Sequence, residues 1–163
     1  MKTLPIFLSL LLISIFSAQA QQNNNEVKND SVAEHNAWLK ETFSDQHEKL
    51  IPIVAVADML YACNQERKIE PVNYKLKDLI INMDKNRLAE KLILCLEDDS
   101  MQSEAALNFG LLGCFHEQLS HLPDIERQQK MALVKKTIVS LSRSERKKSF
   151  TQCVSAQATH YLQ

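Results

Sequence analysis

An all-α domain, a disulfide-stapled bundle of about six or seven helices, is the fold class this sequence predicts. Three observations carry it. Only two glycines occur in 163 residues, too few for the tight turns of a β or α/β domain of this length. Apolar residues recur at spacings of three and four, interrupted mainly by prolines. All four cysteines, Cys63, Cys95, Cys114 and Cys153, fall inside those helical stretches, on or beside the apolar face.

The chain opens with an export signal. Lys2 supplies a positive start, "LPIFLSLLLISIF" an apolar run, and Ala18 and Ala20 the small-x-small cleavage pattern. Cleavage is expected after Ala20. The apolar run is shorter than the ~20 residues a membrane span needs, and no cysteine follows the cleavage point to carry a lipid. Removing residues 1–20 leaves 143, the size of one domain. These carry 18 lysines and arginines against 20 acids, a net charge of −2 with histidines neutral. No charge excess points to nucleic acid. The expected compartment is the periplasm or the secreted space, where an even number of cysteines oxidises. Four cysteines allow three pairings, and spacing alone selects none.

Residues 21–31, "QQNNNEVKNDS", are polar and without periodicity, and read as a disordered tail before a single helical domain over 32–163. A first helix is expected over 32–49, with Trp38, Leu39 and Phe43 on one face. Pro52 kinks the chain or starts a second helix that runs to about Glu66 and carries Val56, Met59, Leu60 and Cys63. "KIEPVN" is a loop. Helices follow over 74–83 and 85–97, the latter capped by Asp84. The acidic "EDDS" turn, with Asp99 or Ser100 as cap, leads into a helix over 101–121. It lacks the spacing and glycine of a calcium loop. After Pro123 a helix over 124–141 places Met131, Val134, Ile138 and Leu141 on one face. "SRSE" is a capping box, Ser142 with Glu145. It opens a last helix with Phe150, Cys153, Val154 and Tyr161 on one stripe.

The stretch "FGLLGCFHEQLSH", residues 109–121, contains both glycines, one cysteine and two histidines. Residues two apart on a helix are rotated by about 200°, so Cys114 and His116 point to opposite sides and form no nucleophile–base pair. His121 shares the side of Cys114 but stands about 10 Å along the axis. Oxidation of Cys114 would also remove the thiol. The cysteines are separated by 32, 19 and 39 positions, unlike the close pairs of zinc sites. Glu117 and His121, four apart, read as a surface pair. The expectation is therefore no catalytic, cofactor or metal residue. Ala106, Gly110 and Gly113 fall on one side of the helix and form a small-residue groove for close helix packing beside Cys114. The large side chains Phe109, Leu112, Phe115 and Leu119 fill the side away from it.

Charge is uneven. Arg127 to Lys148 holds eight bases against Glu145 alone. Its densest part, Arg143, Arg146, Lys147 and Lys148, reads as a basic patch for an acidic protein or a membrane surface. Nucleic acid is not an expected partner, because no aromatic residues are interleaved with the bases.

In export, size, helicity and cysteine content the chain resembles periplasmic immunity proteins against bacterial cell-wall toxins, an architectural likeness that covers no motif. The expected function is binding: inhibition or neutralisation of another envelope or secreted protein. The alternatives are an accessory factor for a secretion system or pilus, a helical cell-wall enzyme, and a small-ligand carrier.

Overall fold

A computed structural model describes residues 26–162. The expected signal peptide, its cleavage after Ala20, and residues 21–25 of the expected tail lie outside them. Six α-helices follow in order: α1 (Glu26–Arg67), α2 (Leu76–Ile81), α3 (Lys85–Leu96), α4 (Glu104–Gln118), α5 (Asp124–Ser140) and α6 (Arg143–Tyr161). The chain divides into two units, Met1–Trp38 and Leu39–Gln163. Of the first, residues 26–38 are described, and they are helical, including residues 26–31 of the expected tail. His35 and Trp38 stack there with ring centroids 5.9 Å apart.

Two expected helices are one. α1 continues through Pro52. A proline inside a helix leaves the carbonyl four residues back without its N–H partner. That residue, Glu48, is exposed, so water is at hand for it. The core stripe of α1 begins beyond the proline with Val54, Ala57, Leu60 and Cys63, while Val56 and Met59 are only partly buried. Trp38 and Phe43, expected to share an apolar face, are exposed.

The helix ends follow local chemistry. Asp84 caps α3 by accepting the N–H groups of Asn86 and Arg87 at 3.0 and 3.1 Å. Ser142 and Glu145 form the reciprocal capping box of α6. α4 departs from expectation at both ends. Ser103 caps it, accepting the Ala106 N–H at 3.0 Å, and it stops at Gln118, so His121 lies beyond it. Neither Asp99 nor Ser100 is its cap: turns occupy the segment before Ser103, and Asp99 is held by Arg67.

Arg67, at the last turn of α1, donates to the Cys95 and Leu96 carbonyls at 2.9 and 2.7 Å and to the Asp99 carboxylate at 2.7 Å. It thus supplies a donor to the Cys95 carbonyl and a second one to the Leu96 carbonyl, which also accepts the Asp99 N–H at 3.0 Å. One turn before it, buried Asn64 shapes the next loop. Its amide donates to the Glu70 and Val72 carbonyls, and its oxygen accepts the Glu70 N–H at 2.9 Å.

The core gathers Leu79 and Ile80 of α2, Leu88, Leu92 and Leu96 of α3, and Leu107 and Leu111 of α4 onto α1 and α6. α4 packs against both α5 and α6. α5 is the least embedded of these helices: Ile138 is its sole buried residue.

Candidate functional site

Both disulfides join helix to helix. Cys63 of α1 pairs with Cys95 of α3, and Cys114 of α4 with Cys153 of α6, each with Cα atoms 6.2 Å apart. No cysteine is free. This pairing points to an oxidising, extracytoplasmic location. Among the described residues no helix is long and apolar enough to cross a membrane, and no three His, Cys, Asp or Glu side chains converge as a metal site.

The groove residues Ala106, Gly110 and Gly113 are buried, and they meet two helices. A Cβ on Gly110 would stand 2.5 Å from the Phe150 ring of α6. A Cβ on Gly113 would stand 2.2 Å from the Asp58 carbonyl oxygen of α1. The Gly110–Phe150 contact precedes the Cys114–Cys153 bridge by about one turn on each helix. The large side expected to lie opposite is divided. Phe109 is buried, whereas Leu112, Phe115 and Leu119 are partly covered.

His116 and Cys114 do point apart. Cys114 enters the bridge, while His116 Nε2 meets the Tyr61 hydroxyl at 3.0 Å. Burial, helped by Arg127, holds the His116 imidazole below its ordinary range, and burial pushes Tyr61 up. The pair lines a cleft of about 380 Å³ between α1, α4 and α5, with Arg127, Lys135 and Glu66 at its edge. Arg127 is bonded to Asp124, and Lys135 lies 3.7 Å from Glu66, so the cleft is close to charge-balanced. Glu117 accepts from the Tyr161 hydroxyl at 2.7 Å and does not pair with His121.

The basic stretch is partly spent internally. Arg143 and Arg146 both bind Glu104 at the start of α4, and Arg146 also donates to Asn108 at 2.9 Å. With Arg127 and Lys135 also paired, Lys130, Lys136, Lys147 and Lys148 are the four of eight that form no ion pair among the described residues. Two of them, Lys130 and Lys136, belong to α5.

α5 also carries the clearest exposed apolar stripe. Ile125, Ala132 and Val139 repeat every seven residues on its outer side; Ile125 and Val139 are each 74% exposed, and Leu133, 61% exposed, stands between this stripe and the groove against α4. Its inner side borders a groove of about 390 Å³ against α4, lined by Leu111, Phe115, Leu119, Val134 and Leu141 and edged by Lys130.

Two buried polar residues that sequence reasoning did not single out meet across the core. Asp58 is fully buried in α1, and Gln157 of α6 donates from Nε2 to its Oδ1 at 3.1 Å. Their sequence signal was present: an acid inside "IPIVAVADMLYAC" and an amide on the stripe of Phe150, Val154 and Tyr161. Comparison with known proteins finds no matching family model, no similar curated protein and no similar solved structure.

Proposed function

We propose that this chain is an exported binding protein that inhibits, neutralises or assists another envelope or secreted protein, with α5 as its contact helix. The observation that carries this reading is the outer face of α5. Apolar side chains left in water on a helix, with the unpaired cation Lys136 among them and Lys130 at the border of the neighbouring groove, suit a partner helix or groove with an acidic rim. The disulfides support the reading by holding the scaffold behind α5 rigid.

The test is affinity capture from the envelope and secreted fractions with the wild-type chain and an Ile125→Glu/Val139→Glu variant. Both positions are exposed, so far-UV circular dichroism is expected to be unchanged. A partner retained by wild type and lost by the variant supports the proposal. Equal recovery of the same proteins by both chains overturns the role of α5. Recovery of nothing above a control chain overturns the binding reading itself.

A further inference from the structure

Four groups meet between α1, α4 and α6. Asp58 lies on α1, Glu117 on α4, and Gln157 and Tyr161 on α6. Gly113 presses its backbone onto Asp58. In this buried junction Asp58 Oδ1 accepts from Gln157 Nε2 at 3.1 Å, but Asp58 Oδ2 and Gln157 Oε1 have no donor from the described residues. Two buried acceptors without partners are costly. A carboxylate and an amide oxygen cannot satisfy each other, since neither has a hydrogen to give.

A single proton resolves both vacancies. We propose that Asp58 is protonated in the folded chain and forms a cyclic acid–amide pair with Gln157: Gln157 Nε2–H donates to Asp58 Oδ1, and Asp58 Oδ2–H donates to Gln157 Oε1. The pair clamps α1 to α6 and makes the fold proton-dependent.

The surroundings agree with a neutral acid. Burial raises the Asp58 carboxyl well above the ordinary range, outweighing the Gln157 hydrogen bond, and nearby Glu117 opposes a second negative charge. Tyr161, the other titratable group beside it, is itself pushed up by burial and by its bond to Glu117. Neither group supplies a positive charge.

The sign follows directly. The folded chain keeps the Asp58 proton to higher pH than the unfolded chain does. Above the ordinary carboxyl range the native state therefore binds more protons, and stability falls as pH rises toward the raised folded value. Within that window one extra native proton changes the unfolding constant about tenfold per pH unit.

The test compares wild type with Asp58→Asn, disulfides intact, in denaturant melts across the acidic-to-neutral range. Asparagine keeps the acceptor and places a permanent donor opposite Gln157 Oε1. The wild-type unfolding constant is expected to rise relative to the variant by up to about tenfold per pH unit. A second measurement holds even if the variant does not fold. Carboxyl-carbon NMR of the wild-type protein at roughly pH 5, a unit above ordinary aspartate, should show a protonated Asp58. An ionised Asp58 signal at that pH, or parallel pH profiles for the two chains, overturns the proposal.

Discussion

Gly113 and Asp58 bring the backbones of α4 and α1 into direct contact: a Cβ on the glycine would lie 2.2 Å from the aspartate carbonyl oxygen. The obstruction is main chain in the middle of a helix, which no rotamer change relieves. At Gly110 the obstruction is the far edge of the Phe150 ring, which is able to swing. Gly113→Ala is therefore expected to destabilise by about 3 kcal/mol, the upper part of the overpacking range, despite the better helix propensity of alanine. Gly110→Ala should cost about 1 kcal/mol. Denaturant melts of the two variants check the order. Equal costs would mean that α1 and α4 separate freely.

The pairing of cysteines makes a second prediction. Peptide mapping of the non-reduced protein should yield Cys63–Cys95 and Cys114–Cys153 and neither of the other two pairings. The intact mass should be four hydrogens below that of the reduced chain. Replacing Cys114 and Cys153 together by alanine should cost about 2–4 kcal/mol. α4 and α6 still meet at Gly110 and Phe150, so the variant is expected to fold with a lower midpoint.

Arg67 is expected to matter more than an ordinary surface arginine. Its side chain is 25% exposed, and it serves two carbonyls and one carboxylate at once. Arg67→Met keeps the stem, leaves the Cys95 carbonyl without its Arg67 donor and the Leu96 carbonyl with the Asp99 N–H alone, at a cost of about 1–3 kcal/mol. Arg67→Lys should recover only part, because one ammonium cannot reproduce the guanidinium fork. Thermal melts of the three proteins should rank arginine above lysine above methionine.

These residues also mark how far the sequence was readable. Helices, the caps at Asp84 and Ser142, and the buried cysteine positions depend on neighbours within a turn or two, so periodicity and capping chemistry revealed them. The cap of α4 falls at Ser103 and not at Asp99 or Ser100, because turns extend to Ser103, while Asp99 is bound by an arginine 32 positions earlier. The pairing within the basic patch was hidden for the same kind of reason: Glu104 lies about forty residues from Arg143 and Arg146 and binds both. Disulfide pairing and the Asp58–Gln157 contact, 99 positions apart, are properties of the assembled bundle. A one-dimensional pattern shows that Asp58 is out of place in its apolar run, but not which partner accommodates it.

Acid should weaken the fold through Glu70, with a sign opposite to that of Asp58. The Glu70 carboxylate accepts from Lys91 and from the Tyr74 hydroxyl, and these bonds hold its carboxyl below the ordinary range. The unfolded chain takes up the proton first as pH falls. The stabilisation from Glu70 is thus complete above the ordinary carboxyl range and is lost as pH drops toward the lowered folded value. Glu70 and Lys91 are 28% and 17% exposed, so solvent screens the pair and its worth is up to about 1 kcal/mol. Glu70→Gln should lower stability by that amount at neutral pH and match wild type in strong acid. A variant that stays weaker by the same margin at every pH would show that Glu70 acts through packing of its loop and not through its charge.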